Sequence, residues 1–216
     1  LGQVVETRVP GVEGAFVLSN ILTAHECAQI SGVSQAMGYL PDALRPRSVR
    51  ATEQCLWVAD DSLWKPIWAR LARFMPLVDG LSAVGLNQRW RCYRYGRGHS
   101  FGRHHDGSWA GSGIDEEGRF VRNFWQGRRL SQMSVVFYLD SMADYEGGAT
   151  TFFESTEDAV GHAVRVPQGS VLCFFHGQHP LSPLHEGSRV SRGVKRVVRT
   201  DVLYPTLQEP RAGESP

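Results

Sequence analysis

The sequence predicts a mainly β fold, a sandwich or barrel with two helices packed on its outside. The chain has 216 residues, 42% of them hydrophobic, which is enough for one sizeable core. Short segments of strand-like composition, separated by turn signals, begin at residue 86 and continue almost to the end. These segments are 86–95, 100–106, 130–140, 148–154, 162–167, 170–176, 180–186 and 194–204.

Two helices are predicted ahead of these strands. The first covers about 24–37, because Thr23 and Glu26 have the spacing of a capping box and Gly38 follows as a stop signal. The second falls within 60–76, where apolar residues, two tryptophans among them, recur at helical spacing and predict a face packed on the core. We therefore expect helices that support the strands.

We expect one domain over 1–206. Helical support occupies about 1–85 and the β core about 86–204, and the polar 207–216 form a loose tail. The chain begins with Leu1 rather than Met, so the sequence leaves open whether an upstream targeting segment was removed. The sequence leaves the oligomeric state open.

Charge and composition exclude some classes of partner. A formal net charge of +1 gives no support for binding nucleic acid, and no apolar run reaches the length of a membrane span. The four cysteines include no Cys-x-x-Cys pair, which argues against a zinc site or a disulfide framework. We expect reduced, mostly buried thiols and a cytoplasmic or other reducing compartment.

The stretch 94–109, "RYGRGHSFGRHHDGSW", holds the first candidate site. Residues two apart in a strand point to the same face, so His104 and Asp106 are expected to project together. Together they supply two of three ligands for a metal bound on one face. The third ligand could come from any of four later histidines, which are His162, His176, His179 and His185. We interpret His176 and His179, in a predicted turn, as more typical of the surface.

The spacing of residues from Tyr95 to Asp106 matches the pattern of a known family. Tyr95, Gly98, Phe101, His104 and Asp106 follow the pattern Tyr-x-x-Gly-x-x-aromatic-x-x-His-x-Asp. In this pattern the chain resembles the prolyl-4-hydroxylase-like branch of the 2-oxoglutarate/Fe(II)-dependent dioxygenases.

Three further blocks follow in the order of that family. "YEGGATTFF" at 145–153 is similar to its Gly-Gly-x-Thr segment, and "VPQGSVLCFF" at 166–175 to its Pro-x-x-Gly turn. In 184–204, His185 precedes Lys195 by ten positions, as in the distal ligand block of the family. The resemblance thereby selects His185 among the later histidines.

The resemblance implies a fold and a metal centre. The fold is a double-stranded β-helix, a jelly-roll or cupin-like core with the N-terminal helices packed outside. Fe(II) is then bound by His104, Asp106 and His185. This set leaves three coordination positions for the keto acid and O2.

The resemblance also assigns the 2-oxoglutarate contacts. It places the distal carboxylate of the cosubstrate on Lys195, with hydroxyl contacts from Tyr95 and Thr150. The chain has twenty-one arginines and only two lysines, so a lysine at this position supports the assignment. Arg199, on the same face of the predicted strand, is the competing cation.

The implied reaction is a hydroxylation. O2 and 2-oxoglutarate give succinate, CO2 and a hydroxylated C–H position, with ascorbate as an expected reductant. The long segment 107–129 follows the first ligand strand and is the candidate substrate loop. Its candidate substrate contacts are Trp109, Arg119, Phe124, Trp125 and Arg129. The alternative is that these aromatic side chains pack the loop onto the barrel.

A prolyl-type position of a peptide or protein is the expected substrate. Two departures weaken this expectation, since Ser131 stands where the peptidyl-proline enzymes have an arginine and the last strand lacks their tryptophan. A free amino acid or small metabolite is the alternative within the enzyme class. A cupin-like binding module without turnover is the alternative of another class.

Overall fold

The computed structural model describes residues 2–41, 46 and 49–206. Within these residues it has two α-helices, α1 (Ala24–Met37) and α2 (Asp61–Leu71), with a 3-10 turn at Ala72–Phe74. The strands are β1 (Val5–Arg8), β2 (Phe16–Ser19), β3 (Leu40–Pro41), β4 (Arg50–Ala51), β5 (Glu53–Val58), β6 (Gly85–Leu86), β7 (Arg89–Tyr95), β8 (Ser100–His104), β9 (Gly113–Ile114), β10 (Phe120–Val121), β11 (Arg129–Tyr138), β12 (Tyr145–Gly147), β13 (Thr150–Phe153), β14 (His162–Val164), β15 (Val171–Phe175), β16 (Leu184–Gly187), β17 (Val190–Gly193) and β18 (Lys195–Pro205). The predicted tail 207–216 lies outside the described residues.

Two antiparallel sheets form the body of the protein. The larger has the strand order β1-β2-β15-β11-β18-β7-β5-β3, with β6 also paired to β18. The smaller has the order β14-β13-β16-β8-β4. The two sheets face each other as the layers of a jelly roll, so the predicted mainly β fold with helices outside is confirmed.

The outer face of the larger sheet packs against the helices. Alternation along β7 sends Trp90 and Cys92 into this core, where they join Ile30 of α1 and Ile67 of α2. The predicted capping box is present, because Thr23 accepts a hydrogen bond from the backbone of Glu26 and returns one to its carboxylate. The helices thus pack on the face of the larger sheet that points away from the smaller sheet.

The inner face of the larger sheet looks toward the smaller one. The alternate residues Tyr93 and Tyr95 of β7 and Val197 of β18 lie here, packed against Phe152 of the smaller sheet. Polar residues also occupy this inner face, Arg91 beside Tyr93 and Lys195 beside Val197. The space between the two sheets therefore holds both apolar packing and buried charge.

Each of the eight predicted strand segments contains a strand, and two of these strands are shorter than predicted. The strand predicted over 100–106 ends at His104, and the one predicted over 180–186 begins at Leu184, after a turn. The second helix ends at Leu71 within the predicted 60–76. The segment 107–129 is not featureless, because β9 and β10 pair as a small hairpin inside it.

The N-terminal part of the chain does more than supply helices. Strands β1, β2, β3 and β5 extend the larger sheet on both of its sides. The limits of a single domain over 1–206 stay a prediction. The four cysteines are free thiols, three of them buried. Among the described residues, no helix is both long and apolar enough to cross a membrane.

Candidate active site

Two strands of the smaller sheet bring two histidines face to face. His104 ends β8 and His185 lies in β16, and they are register partners with ring centroids 4.3 Å apart. Asp106 lies two residues beyond β8, with carboxylate oxygens 3.5 Å from His104 Nε2 and 3.7 Å from His185 Nε2. One potential ligand atom of each residue lies within 4.8 Å of the others. Two imidazoles and one carboxylate on one face form a donor set suited to non-haem Fe(II).

Backbone carbonyls select the tautomer of both rings. His104 Nδ1 lies 2.8 Å from the carbonyl oxygen of Gly102, and His185 Nδ1 lies 3.2 Å from that of Pro183. A carbonyl oxygen only accepts, so each Nδ1 carries the proton and each Nε2 keeps a free lone pair. Burial lowers the pKa of His185 to about 4, which keeps this imidazole neutral. Both rings therefore fit a divalent metal.

The carboxylate of Asp106 is held on both oxygens. Arg199 Nη1 lies 2.8 Å from Oδ1, and the Ser134 hydroxyl donates to Oδ2 at 2.7 Å. Burial alone would raise the pKa of Asp106, but Arg199 and the neighbouring His104 outweigh it, so the pKa lies well below its usual range. The carboxylate is therefore charged and oriented before any metal binds.

A directed chain of hydrogen bonds reaches Asp106 from the loop that follows it. Ser134 gives its only hydroxyl proton to Asp106, so its oxygen accepts from His176 Nδ1, which is 2.9 Å away. His176 Nε2 is then unprotonated and accepts from the Ser131 hydroxyl at 2.8 Å. Ser131 in turn accepts the backbone N–H of Trp109 at 2.8 Å. Burial lowers the pKa of His176, in keeping with this neutral ring.

The surface position expected for His176 is wrong. Its side chain is fully buried, because the backbone bond from its N–H to Gln132 continues the pairing of β15 with β11 by one residue. The turn begins only after it, at Gly177, whose N–H donates to the carbonyl of Asp106 at 2.8 Å. A Cβ on Gly177 would lie 1.9 Å from Ser108 Oγ, and its φ is 66°, so this close approach requires glycine.

Arg199 belongs to a longer row of buried ion pairs. Its Nη2 lies 2.9 Å from Asp201 Oδ1, and Arg91 Nη2 lies 3.3 Å from Asp201 Oδ2. Arg199 lines the cavity beside the triad, but its guanidinium is engaged by Asp106, Asp201 and Ser134. Its primary contact is thus the carboxylate of the candidate metal site.

A cavity of about 520 Å³, including its open mouth, runs from the triad to Lys195. Lys195 is 4% exposed, donates to the carbonyl of Gly148 at 2.5 Å, and lies above the rings of Tyr95 and Tyr138. Burial lowers its pKa to about 7, and no described acidic side chain contributes to the shift. An ammonium group without a carboxylate at the end of a cavity fits a ligand that supplies one.

Hydroxyl groups surround this end of the cavity. Tyr95, the register partner of Lys195, lines the cavity together with Thr150. Thr150 Oγ1 lies 2.6 Å from the hydroxyl of Tyr138, which sequence reasoning missed. Strand alternation could have identified Tyr138, because it places Ser134, Val136 and Tyr138 of β11 on the same inner face. Burial raises the pKa of both tyrosines, so their hydroxyls stay protonated.

The candidate substrate-loop residues lie outside this cavity, since none of the five lines it. Arg129 stacks on Trp125 at 4.3 Å, and Phe124 meets the same ring edge-on at 4.9 Å. Arg119 forms ion pairs at 2.9 Å with two carboxylates of the β9–β10 hairpin. Trp109 is 37% exposed and lies over two arginines of β7. A substrate role for these side chains stays a prediction.

Comparison with known proteins identifies the family. The family model of the 2OG-Fe(II) oxygenase superfamily matches residues 90–201, which is more than half of the chain. This protein belongs to the 2OG-Fe(II) oxygenase superfamily. The comparison with curated proteins found no match.

Three prolyl hydroxylases are among the solved structures of similar fold. A viral collagen prolyl hydroxylase from Paramecium bursaria Chlorella virus-1, in complex with 2OG, has 16% identity and a TM-score of 0.60 over 93% of this chain and 100% of its own. A Pseudomonas putida prolyl-4-hydroxylase has 16% identity and a TM-score of 0.59 over 88% and 92%. A Trichoplax adhaerens prolyl hydroxylase, in complex with a peptide fragment of the hypoxia inducible factor oxygen degradation domain, has 13% identity and a TM-score of 0.60 over 88% and 83%.

The site fits the cofactors of the superfamily. The two imidazoles and the ionised carboxylate suit Fe(II), and the buried ammonium suits an anionic cosubstrate such as 2-oxoglutarate. The chain is thus an oxygenase of prolyl-hydroxylase-like fold.

Proposed function

We propose that this oxygenase hydroxylates an unactivated C–H bond at a prolyl-type position of a peptide or protein. The observation that carries the proposal is the presence, within one cavity, of the triad and of a buried lysine that forms no ion pair with a described acidic residue. One end offers metal ligands and the other offers a cation for the cosubstrate.

In this proposal His104, Asp106 and His185 hold Fe(II). When bound, the iron supplies the oxidative chemistry, in which O2 and 2-oxoglutarate yield succinate, CO2 and a hydroxylated product. The side chains orient the ligands and exclude water, and no general base is required of them. Arg199 and Ser134 keep the carboxylate of Asp106 in place. Ascorbate is the proposed reductant that returns iron to the Fe(II) state.

Lys195 binds the distal carboxylate of 2-oxoglutarate. Its ammonium is buried with no acidic partner among the described residues, and a buried carboxylate in turn needs a fixed cation. The hydroxyls of Tyr95 and Thr150 supply further contacts at the same end. Tyr138, which is hydrogen-bonded to Thr150, sets the orientation of that hydroxyl.

The peptide or protein substrate is supported by the fold, because the Trichoplax adhaerens prolyl hydroxylase of similar fold is in complex with a peptide fragment. Two residues separate this chain from the peptidyl-proline pattern. Ser131 binds His176 where an arginine is expected, and β18 has no tryptophan. We therefore propose that this protein holds its substrate through side chains other than those of the peptidyl-proline enzymes.

A free amino acid or small carboxylic acid is the second candidate substrate. The observation that favours it is the pair of arginines, Arg89 and Arg91, under the exposed ring of Trp109. A binding module without turnover is disfavoured, since a relic of that kind has no need of both the triad and Lys195.

Anaerobic titration with Fe(II) and 2-oxoglutarate tests the proposal. We expect a weak visible metal-to-ligand absorption band, succinate formation on admission of air, and a gain of one oxygen atom in members of a peptide and metabolite library. Absence of both the band and succinate would refute the oxygenase activity. Oxygen gain in amino acids alone would replace the peptide substrate by the second candidate.

A further inference from the structure

An arginine pair extends the inner face of β7 beyond the metal triad. Arg89 and Arg91 precede Tyr93 and Tyr95 at every second position, so all four point between the sheets. The tyrosines line the cavity, whereas the guanidinium groups lie under the ring of Trp109, at 4.2 Å for Arg89 and 5.4 Å for Arg91.

Only some of the hydrogen-bond donors of this arginine pair have partners among the described residues. Arg91 is 9% exposed and binds Asp201 through Nη2, but its Nε has no hydrogen-bond partner among the described residues. Arg89 Nη1 is also buried and, within the described part of the chain, unpartnered. Buried donors of charged groups are rarely left unpaired in proteins, since each costs the energy of its lost hydration. Two such donors side by side point to a ligand that accepts hydrogen bonds.

Positive charge is in excess at this place. The carboxylate of Asp201 is shared between Arg91 and Arg199, and Arg199 also pairs with Asp106. Arg89 has no salt bridge with a described acidic residue, and burial followed by repulsion from Arg91 lowers its pKa to about 10. The three arginines Arg89, Arg91 and Arg199 thus share only two carboxylates, those of Asp106 and Asp201, which leaves one positive charge without a negative partner among these residues.

The arginine pair is connected to the metal site. Three ion pairs link Arg91 through Asp201 and Arg199 to Asp106, with distances of 3.3, 2.9 and 2.8 Å. Trp109 follows Asp106 by three residues and is held by the hydrogen bond of its N–H to Ser131. A ligand on this pair therefore lies beside the candidate metal centre and under a partly exposed indole ring.

We propose that Arg89 and Arg91, beneath Trp109, form a subsite for a carboxylate group of the substrate. Guanidinium N–H groups form strong, charge-assisted hydrogen bonds to carboxylates, and the two unpartnered nitrogens, one on each arginine, supply two donors. The carboxylate belongs either to a free amino or imino acid or to an acidic side chain next to the hydroxylated residue. The assignment of this carboxylate to the substrate rests on the proposed function, whereas the binding of a carboxylate by Arg89 and Arg91 does not.

Matched probes test this subsite. The full chain, metal-free and then with Zn(II), is titrated with N-acetyl-L-proline and with N-acetyl-L-prolinamide, which lacks the negative charge. A second pair, N-acetyl-prolyl-aspartate amide and its asparagine analogue, presents the carboxylate on a peptide side chain. Binding is followed at the indole N–H resonance of Trp109, identified by its loss in Trp109→Phe.

We expect at least one carboxylate probe to bind about tenfold more tightly than its neutral partner, with a preference that weakens at high salt. The pair that shows the preference identifies the source of the carboxylate. Arg89→Gln should remove the preference and Arg89→Lys should restore part of it. Arg73→Gln is the matched control, since Arg73 also stacks on an aromatic ring, that of Phe74, but outside the site.

Equal binding of charged and neutral probes in both pairs would overturn the inference, as would an unchanged preference in an Arg89→Gln protein with wild-type melting temperature. Zn(II) binding, measured in the same samples, tests the metal site separately. Carboxylate preference without Zn(II) binding would refute the proposed function and leave the subsite standing.

Discussion

Two buried cations on one strand, Lys195 and Arg199, meet opposite environments. Both belong to β18 and line the same cavity, four residues apart on the same face of the strand. Arg199 is bound by two carboxylates and a hydroxyl, whereas the contacts of Lys195 within the described part of the chain are a carbonyl and two aromatic rings, with no carboxylate. The metal end of the cavity is thus organised by the protein's own ion pairs, whereas at the other end the proposed cosubstrate would supply the missing negative charge.

The two environments predict opposite effects on the free energy of unfolding when either cation is removed. Breaking a buried ion pair leaves a charge without compensation, which destabilises the fold. Removing a buried charge that has no partner instead relieves a desolvation cost. Substitutions at the two cations should therefore change stability in opposite directions.

The largest effect is expected at Asp106. Asp106→Ala removes the only carboxylate of the triad, so we expect loss of Fe(II) binding and of succinate formation by at least about a thousandfold. Metal titration and turnover measure the two losses. His105→Ala, at the exposed neighbouring histidine, is the control. Full turnover in Asp106→Ala would remove Asp106 from the ligand set.

Lys195→Ala comes next. Losing the cation that faces the cosubstrate should raise the KM for 2-oxoglutarate about a hundredfold, equivalent to roughly 3 kcal/mol, with a much smaller change for the substrate. Steady-state kinetics with each reactant varied in turn give both constants. The other lysine of the chain, Lys65, is an exposed partner of Asp61 and serves as the control. An unchanged KM would assign the role to Arg199.

Arg199→Met should destabilise the metal-free protein by about 3 to 5 kcal/mol, because Asp106 and Asp201 lose their shared partner. Chemical denaturation gives the free energy of unfolding. Stability equal to the wild type would show that the two carboxylates find other compensation and that the metal end is not organised by this arginine.

Lys195→Met should have the opposite effect, and the effect should depend on pH. Burial lowers the pKa of Lys195 from 10.5 to about 7, so between these values the unfolded chain binds more protons than the folded one and stability rises with pH. The cost of the charged lysine is complete below pH 7 and is at most about 5 kcal/mol. Lys195→Met should therefore exceed the wild type in stability at pH 6, and the gap should narrow toward pH 10. A gap independent of pH would contradict the lowered pKa.

The smallest effect is expected from Ser134→Ala. It removes one hydrogen bond to Asp106, so Fe(II) affinity should fall about tenfold and stability by about 1 kcal/mol. In the wild type, ¹⁵N NMR of His176 should show the proton on Nδ1, whereas Ser134→Ala frees the ring to change tautomer. Ser182→Ala is the control, since its buried hydroxyl oxygen has no partner among the described residues. A wild-type His176 with its proton on Nε2 would contradict the directed chain.

The sequence predicted most of the fold and the centre of the site. His104 and Asp106 were readable because two-residue alternation carries them to one place even though the strand ends at His104. His185 and Lys195 were readable only through the family spacing. Strand alternation and motif spacing are properties of short segments, which sequence alone specifies.

The surroundings of the triad were not readable in the same way. Arg199 reaches Asp106, and Ser134 reaches both Asp106 and His176, only through the pairing of β11 with β15 and β18. The wrong interpretation of His176 has the same origin, since its burial depends on one further backbone bond to β11. Contacts set by register between distant strands leave no local pattern.

The register of β8 with β16 has a consequence for the order of events during synthesis. His104 and His185 are opposite each other in that pair but about 80 residues apart along the chain, so they meet only after such long-range pairing, which is slow to form. A nascent chain that has exposed 94–109 still lacks one of the two candidate histidine ligands. Assembly of the candidate metal site is thus tied to the pairing of β8 with β16, and a metal bound by all three side chains would mark chains in which this pair has formed.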